Sequence, residues 1–434
     1  MGTKFILGQE DGTIAGGITR GDSAVDLQTS RGVNTQVAAG SQSVIVGGSS
    51  NTAAGTQSVA VGGQGNRANT LQSFIGGGNA NSILTAGENA IVGGTLNTNN
   101  GVYGFIGAGL QNTVSSSYSI VSGGQSNTAS TNTHATVVGG QGNTSSGQYS
   151  ISGGVNNVAS GSQTVAFGNG NIVLNFSQAY GFGNNSGGNS CTAIGQQNTV
   201  TSNNSIGIGI QNIVSGERGV AIGETNSISV SGGIALGGSN SITGVAGSCL
   251  GRSNSISSSY GVGIGFRAAS YLYGQIAFAN DGFLDQAGRS QNSTVIARKL
   301  DTLTTAGTTV LSLDGTGVTN LIIPAPNNRM WNVTVKTIAV VTAITGTATG
   351  VTVGDTYMQN NSILFKRRIS VGSTLVSVGT AEVFSDTSMS TSLMTYTKGA
   401  SEELGLTFNA PTFAGGGSLT IRVVSKVELV EVAY

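Results

Sequence analysis

Charged residues are scarce in this chain of 434 residues. Asp, Glu, Lys and Arg make up 8% of the sequence, against about 25% in a typical soluble protein. The 18 basic and 18 acidic side chains cancel in formal charge. This composition lacks the basic field that nucleic acid or an anionic membrane attracts, so we expect neither partner. It is not a disordered composition, because 38% of the residues are apolar.

Proline, cysteine and long apolar runs are also rare. Three prolines and no Gly-X-Y period exclude a collagen triple helix. No apolar core follows residues 1–8, which predicts no secretory signal. No run approaches the ~18 apolar residues of a membrane-spanning helix, so we expect no membrane insertion. Cys191 and Cys249 fit a reducing compartment and give no disulfide framework.

Residues that carry catalytic chemistry are nearly absent from the first two-thirds of the chain. The only acids between residues 41 and 280 are Glu88, Glu217 and Glu224. Glycoside cleavage needs two carboxylates ~5–10 Å apart. Glu88 is expected about nine coils away from the other two acids, and we expect Glu217 and Glu224 to face solvent at turns. His134 is the only histidine and is expected at an exposed turn, which excludes a multi-histidine metal site in one chain. We predict no enzymatic activity, no cofactor and no metal.

Glycine, by contrast, is abundant and periodic. There are 71 glycines, more than twice the usual ~7%. One series recurs at a constant interval: Gly195, Gly209, Gly223, Gly237, Gly251 and Gly265. After each of the first five glycines, asparagine follows at the third position and valine or isoleucine at the fifth. Leucine or isoleucine precedes all six glycines, and a small residue precedes that leucine or isoleucine. Upstream, from Gly47, the same pattern repeats with a longer turn and a less regular spacing.

The alternation of apolar and small residues in these repeats predicts strands rather than helices. Two short strands and two tight turns fill one coil of a parallel β-solenoid. Residues in phase then stack ~4.8 Å apart, which places asparagine ladders at the turns and β-branched residues inside. We count 16 such coils and assign the roll to residues 41–267. In this phase the residue before each glycine, such as Ile222, points into the coil.

A single coil of this length encloses little apolar volume, and small cores are marginal because their surface is large relative to their volume. The small residue beside each apolar one would let neighbouring chains approach closely. We therefore expect a homotrimer, the natural closed arrangement for a fibre.

The repeat segments resemble known protein families. Asn-Ser-Ile-Gly-Ile-Gly (204–209), Gly-Val-Ala-Ile-Gly (219–223) and Ser-Val-Ala-Val-Gly (58–62) resemble the head repeats of trimeric autotransporter adhesins. That resemblance implies a trimeric left-handed parallel β-roll. The sequence shows no extended signal peptide, coiled-coil stalk or anchor barrel. Its segment 21–31, its Gly-Gly-x-x-Asn repeats and its tail resemble more closely the fibres of tailed bacteriophages, which carry similar repeats.

Composition changes near residue 268, beyond which lie all three prolines and the only tryptophan. Period-two alternation at 331–335 and 404–408, with glycine- and proline-rich turns between runs, is typical of antiparallel strands. We predict a linker over 268–300 and a β-sandwich or jelly-roll domain over 301–434. The stretch 291–324 resembles domains that end many phage fibres.

The C-terminal domain also holds the residues that we expect to contact a receptor. Large aromatic and positively charged side chains dominate binding hot spots, and the candidates are Trp331, Tyr357, Lys366, Arg367, Arg368 and Tyr396. Plainer interpretations stay open for two groups. Trp331 alternates with valines, as a core residue does. Residues 366–368 would also suit a solvated strand edge that discourages aggregation.

Together these features predict a structural fibre on the surface of a bacteriophage virion. Residues 1–40 would attach it to other virion proteins, and the C-terminal domain would bind a glycan or protein of the host. Four alternatives stay open: a capsid head fibre or decoration protein, a bacterial surface adhesin, an ice-binding solenoid and a polysaccharide depolymerase tailspike. In-phase Thr-x-Thr arrays would favour ice binding, and paired carboxylates would favour the depolymerase.

Overall fold

The regular elements of the chain are all strands in the part that the structure describes. The computed structural model describes residues 5–6, 12–14, 17–85, 87–280, 290–304, 307–313, 329–346, 350–368, 372–377, 382–385, 389–390, 392–398, 404–411 and 417–433. These residues include no helix long and apolar enough to cross a membrane. The all-β prediction is confirmed, with a parallel β-solenoid of about 17 turns followed by antiparallel strands. The chain divides into two units, Met1–Val214 and Ser215–Tyr434.

The first unit consists of solenoid coils. Its strands are β1 (Phe5–Ile6), β2 (Val25–Asp26), β3 (Val44–Ile45), β4 (Thr52–Ala53), β5 (Val59–Ala60), β6 (Arg67–Ala68), β7 (Phe74–Ile75), β8 (Ser82–Ile83), β9 (Ala90–Ile91), β10 (Thr98–Asn99), β11 (Phe105–Ile106), β12 (Thr113–Val114), β13 (Ile120–Val121), β14 (Thr128–Ala129), β15 (Thr136–Gln141), β16 (Thr144–Ser145), β17 (Ile151–Val155), β18 (Val158–Ala159), β19 (Val165–Asn169), β20 (Ile172–Val173), β21 (Gln178–Phe182), β22 (Asn185–Ser186), β23 (Thr192–Gln196), β24 (Thr199–Val200), β25 (Ile206–Ile210) and β26 (Ile213–Val214).

The second unit contains solenoid coils and the antiparallel domain. Its strands are β27 (Val220–Glu224), β28 (Ser227–Ile228), β29 (Ile234–Gly238), β30 (Ser241–Ile242), β31 (Ser248–Arg252), β32 (Ser255–Ile256), β33 (Val262–Phe266), β34 (Ala269–Ser270), β35 (Ile276–Asn280), β36 (Ser290–Leu303), β37 (Thr308–Val310), β38 (Arg329–Gly346), β39 (Thr356–Arg368), β40 (Gly372–Ser377), β41 (Glu382–Ser385), β42 (Leu393–Lys398), β43 (Leu404–Asn409) and β44 (Gly417–Ala433).

Each coil contributes one strand to each of two parallel faces. In the first unit, face A contains β1, β2 and the odd-numbered strands from β3, and face B the even-numbered strands from β4. In the second unit, β27, β29, β31, β33 and β35 belong to face A, and β28, β30, β32 and β34 to face B. Residues one repeat apart are direct partners: Thr98 pairs with Thr113 on face B, and Ile222 pairs with Leu236 on face A. The repeat therefore fixes the strand register, as expected for a solenoid.

In the second unit the interior of a coil combines a small residue from face A with a larger one from face B. The buried apolar residues of face A there are Ala221, Ala235, Cys249 and Ala277, and those of face B are Ile228, Ile242 and Ile256. In parts of the first unit the sizes are exchanged, so that Ile45 of face A packs with Ala53 of face B. Large residues on one side and small ones on the other fill a thin interior without voids. The β-branched residue five positions after each glycine is thus inside, as predicted.

The prediction that the residue before each glycine points inward is wrong. Ile222 is 41% exposed, whereas Ala221 next to it is fully buried. Adjacent strand residues point to opposite sides of a sheet, so the small residue takes the interior and the larger one faces outward. The small residues therefore make room inside the coil. They do not lie on the surface at which another chain could approach.

Asparagine ladders occupy the turns, as predicted, but their side chains are buried. Asn127 Nδ2 donates to the carbonyl oxygens of Gly123 in its own coil and Gly140 in the next coil, both at 2.9 Å. Its Oδ1 accepts from the backbone N–H of Asn143 at 3.0 Å. The same pattern links Asn226, Asn240 and Asn254 in the second unit. These bonds satisfy the backbone of each tight turn, so a polar side chain can be buried there without penalty.

Only glycine fits at the repeated position, because of its backbone conformation and because neighbouring atoms leave no room for a side chain. Gly237 has a φ of +123°, where a side chain would be strained. A Cβ atom there would lie 1.9 Å from the carbonyl oxygen of Gly251 in the next coil. Glycine therefore sets the period because neighbouring coils touch backbone to backbone at this turn.

Two antiparallel sheets share one hydrophobic core in the C-terminal part of the second unit. In the first sheet, β44 lies between β36 and β38, and β39 pairs with β38, β40 and β41. The second sheet has the order β37–β43–β42. Trp331 and Val335 of the first sheet and Leu406 and Phe408 of the second belong to the common core. This arrangement matches the predicted antiparallel domain.

Strand pairing extends on both sides of the range 41–267 that was expected for the roll. At the start, β2 pairs in parallel with β3. At the end, β35 pairs in parallel with β33 and antiparallel with β36. The segment expected as a linker over 268–300 thus contains β34, β35 and most of β36, and β36 covers the last edge of face A.

Candidate functional site

Two of the residues predicted to bind a receptor are core residues. The side chains of Trp331 and Tyr357 are fully buried. Trp331 Nε1 donates to the hydroxyl of Tyr271 at 3.4 Å. The Tyr357 ring packs edge to face on Phe408 with a centroid distance of 5.4 Å, and its hydroxyl contacts the Gln359 side chain. Neither ring is available to a receptor on this surface, so the predicted set of six does not form one site.

The other four predicted receptor residues are Tyr396 and the basic cluster 366–368. Tyr396 is partly buried and packs against the core, where burial raises the pKa of its phenol to about 12. Lys366, Arg367 and Arg368 lie in β39, and Lys366 pairs through the backbone with Thr374 of β40. The side chains of these three residues lie outside the described part of the structure. A receptor contact through the cluster stays a prediction.

The outer surface of face A is apolar in both units. It carries the residue before the repeated glycine or its counterpart. In the first unit these include Val46, Val61, Val92, Val138 and Ile194, which are 37 to 51% exposed, and in the second unit Ile222, Leu236, Leu250 and Phe278, which are 36 to 53% exposed. We call this surface the apolar face. The series is continuous in the second unit, whereas Gly76, Gly107, Ser122 and Gly153 interrupt it in the first. A soluble monomer rarely exposes an apolar patch that continues over several coils.

The outer surface of face B is polar over much of its length. In the first unit Thr98, Thr113, Thr128 and Thr144 stack in register. In the second unit Ser227, Ser241 and Ser255 do the same. The two outer surfaces of one coil therefore differ in character, so exposed apolar residues are not a general property of the repeat.

One edge of the first unit carries a stack of four exposed rings. Tyr103, Tyr118, His134 and Tyr149 follow one another with centroid distances of 5.0, 5.1 and 4.8 Å. Each has a positive φ between 56° and 63°, because the same turn position recurs in each coil. Glu88 is hydrogen-bonded to Tyr103 and raises the pKa of its phenol. His134 is exposed, as expected. The phase that these four residues share in the repeat is the sequence signal from which the stack could have been predicted.

The acids of the roll are spread out. Glu217 and Glu224 are exposed, as predicted, and Glu88 is exposed as well. Within the described ranges, no three His, Cys, Asp or Glu side chains cluster so as to hold a metal ion. The absence of enzymatic activity stays a prediction, which an assay for sugar release from host capsule would test.

Comparisons with known proteins give little further information. No protein-family model matches the chain, and no curated protein matches its sequence. One solved structure that resembles it is the tailspike protein of Acinetobacter baumannii phage AM24, with 10% sequence identity. The match covers 98% of this chain and 76% of the tailspike, with a TM-score of 0.22. A TM-score this low supports no inference about fold or function.

Proposed function

We propose that this chain is a structural fibre protein of a bacteriophage virion, and that it associates as a homotrimer through the apolar face. The exposed apolar face is the observation that carries the proposal. The C-terminal domain would then contact a host glycan or protein, and the N-terminal residues would contact other virion proteins. The resemblance of the repeats to those of phage fibres supports the location on a virion.

The apolar face suits association with further copies of the same chain. In the second unit, successive coils present an apolar side chain at the same position, from Ile222 to Phe278. Two copies lying side by side would therefore repeat one contact along this stretch. Burial of these side chains would contribute favourable free energy in proportion to the apolar area removed from water. Closed rotational symmetry satisfies every such face, and three copies around one axis would form a fibre.

Glycines shape the apolar face where the neighbouring residues are large. Between Val138 and Phe167 the residue in phase is Gly153, and a groove of about 410 Å³ opens there. A Cβ atom added to Gly153 would be 2.8 Å from the ring of Phe167, which shows that this ring lies close to the glycine. The groove could accept a side chain from a second copy.

Sedimentation tests the association directly. A trimer would sediment with three times the mass of the 43.2 kDa chain. Ile222→Asp would place a charge in the apolar face and should weaken the assembly. Thr225→Asp is the matched control, because Thr225 is exposed three residues away at a turn. A folded monomer of the unaltered chain at micromolar concentration would contradict the proposal.

The place of the protein on the virion requires a separate experiment. Antibody labelling of intact particles, followed by electron microscopy, should show the protein on the tail. The purified chain should also compete with particles for adsorption to host cells. Label confined to the capsid, together with no competition, would favour the head-fibre or decoration protein instead.

A further inference from the structure

A cavity of about 350 Å³ opens in the second unit where the last solenoid coils meet the antiparallel domain. Its lining consists of Tyr260, Tyr273, Gly274, Ile296, Arg298 and Leu313. This volume is within the usual range for small-molecule sites, and so is a mainly apolar lining with one charged group. None of these residues belongs to the receptor-binding set that the sequence suggested.

The aromatic part of the cavity offers a ring face to a ligand. Tyr260 is 55% exposed. The Tyr260 and Tyr273 rings meet edge to face with centroids 5.3 Å apart and an interplanar angle of 65°. In this geometry the edge of one ring covers only one face of the other. The free face carries negative charge density, which attracts the polarised C–H groups of a sugar ring.

Arg298 supplies the charged group of the cavity. Its side chain is exposed, and it has no ion-pair partner among the residues that the structure describes. A guanidinium group binds a carboxylate through two parallel hydrogen bonds. An arginine that lines a pocket beside two tyrosines is therefore suited to a sugar that carries a carboxylate.

The sheet beside the cavity extends this positive charge. On the outer surface of β36, β44 and β38 lie Arg298, Arg422, Lys426 and Lys336. Glu428 is the only acid described on that surface of these three strands. Glu428 forms a salt bridge with Lys426 at 2.6 Å. Among these named side chains, positive charges therefore exceed negative ones by three.

Two of these cations destabilise the pairing of the strands that carry them. Lys426 and Lys336 are direct partners across β44 and β38, and like charges directly opposite each other destabilise a strand pair. One carboxylate between them offsets part of this repulsion, and the hydrogen bond from Lys426 lowers the pKa of Glu428. A bound polyanion would offset the rest.

We propose that this cavity and the adjoining cationic surface bind an acidic polysaccharide whose sugars carry carboxylates. One sugar ring packs on Tyr260 and Tyr273, and its carboxylate pairs with Arg298. Neighbouring carboxylates of the polymer lie along the cationic surface of β44 and β38. This inference names the class of host ligand and so rests on the proposed attachment function.

Binding of the full-length protein to purified polymers tests the inference. Polygalacturonate is the carboxylate probe, dextran the neutral control and dextran sulfate the control for charge alone. We expect polygalacturonate to bind, dextran not to bind, and the affinity to fall as salt screens the charges. Arg298→Gln should weaken binding about tenfold, the usual effect of losing a charge-assisted hydrogen bond. Tyr260→Ala should weaken the binding of polygalacturonate more than that of dextran sulfate.

Matched variants separate the cavity from general charge. Arg298→Lys should restore only part of the affinity, because an ammonium group lacks the planar fork. Arg218→Gln removes another exposed arginine of the same unit, away from the cavity, and should leave binding unchanged. Both Arg298 and Tyr260 are exposed, so circular dichroism and melting temperature should stay close to those of the unaltered protein.

Two results would overturn the inference: equal binding of dextran, or unchanged binding of polygalacturonate in both Arg298→Gln and Tyr260→Ala. The inference would also be overturned if dextran sulfate bound as tightly as polygalacturonate and Tyr260→Ala changed the affinity for neither polymer. Host-cell binding that survives Arg298→Gln contradicts the inference but leaves the attachment function standing. Polymer binding without any cell binding contradicts the attachment function alone.

Discussion

The buried asparagines show why one residue type recurs at the turns of the roll. A tight turn leaves backbone carbonyls and N–H groups that the strands do not satisfy. Asn157 donates to the carbonyl oxygens of Gly153 and Gly168, and its Oδ1 accepts from the N–H of Asn171. A short side chain with both a donor and an acceptor is needed, which explains why asparagine recurs from coil to coil until Ala268 ends the ladder by donating its N–H to Asn254.

Asn127→Ala should destabilise the protein strongly, by about 3 kcal/mol, because it leaves a buried carbonyl and a buried N–H without partners. The control is Asn132→Ala: Asn132 is exposed and its side chain donates one hydrogen bond, to the carbonyl oxygen of Ser146. We expect the control to change stability by about 0.5 kcal/mol or less. Chemical denaturation measures both, and equal losses would show that the ladder contributes little.

Cys249 replaces alanine in the interior of its coil and behaves as an apolar residue. Burial raises the pKa of its thiol from 9.0 to about 12. The thiolate is the reactive form, so iodoacetamide at pH 8.5 should not modify Cys249 until the protein unfolds. Peptide mass spectrometry gives the labelled fraction at this position. Rapid labelling of Cys249 in the folded protein would contradict the burial.

The same raised pKa has a consequence for stability. Because the folded state disfavours the thiolate, this group stabilises the fold fully at pH values below the unfolded pKa near 9. The contribution is lost as the pH rises from there towards 12. Cys249→Ala should therefore reduce the fall in melting temperature over this pH range. An identical alkaline profile for the variant and the unaltered protein would show that other groups cause that fall.

At the scale of the element, a strand of face A has one interior residue and two exterior ones. The strand β27 shows this, since Ala221 is buried between the half-buried Val220 and the exposed Ile222. The interior is thin, so it accepts the small residue. The large residues lie on the outer side of the strand, where another molecule can contact them.

Ala221→Asp and Ile222→Asp should have opposite consequences for folding. The first places a carboxylate in the apolar interior, where an unpaired charge is very costly, and should abolish the β-type circular dichroism of the coils around it or lower the melting temperature sharply. The second places the charge at the surface and should keep the β-type spectrum at 20 °C. The opposite order of effects would restore the phase first inferred from the sequence.

The side-chain amides of two glutamines bind backbone groups of coils near the ends of the solenoid. In the first unit, Gln28 Oε1 accepts from the N–H of Asn51 and replaces the asparagine of a preceding coil. In the second unit, Gln291 binds both the N–H and the carbonyl of Ala269, at 2.8 and 2.9 Å. Terminal coils of a repeat protein need such caps, because they have a neighbour on one side only.

At the scale of the whole molecule, the solenoid is a sum of similar coils and their contacts. In the second unit the coils are equal in length, and their face A strands stay in register from β27 to β35. Stability in such a protein depends on each coil and its immediate neighbours rather than on distant contacts. The number of coils can therefore change without loss of the fold.

Deletion of residues 233–246 removes one whole coil and should leave a folded protein that melts close to the full-length chain. Deletion of residues 233–239 removes half a coil, including β29, and should lower the melting temperature sharply. The half-coil deletion would place a face B strand over face A and break the asparagine ladder. Thermal melting followed by circular dichroism compares the two, and equal behaviour would contradict modular stacking.

The period, the parallel coils, the asparagine at the turns and the antiparallel C-terminal strands could all be predicted from the amino-acid sequence. Each of these follows from local geometry that repeats. Gly237 needs a positive φ whatever lies elsewhere in the chain, and Gly251 needs the same backbone conformation in the next coil. A pattern that recurs in phase many times leaves little freedom in how the strands pair.

Which side of each strand is inside and which aromatic residues are exposed depend on packing between distant parts of the chain, and sequence patterns did not predict them. Period-two alternation shows that Ala221 and Ile222 face opposite ways, but which of them fills the interior depends on the volume already occupied by Ile228 and its neighbours. Trp331 and Tyr357 are core residues because a second sheet covers them. The cavity at Tyr260 and Arg298 joins residues 38 positions apart in the sequence, and no local pattern connects them.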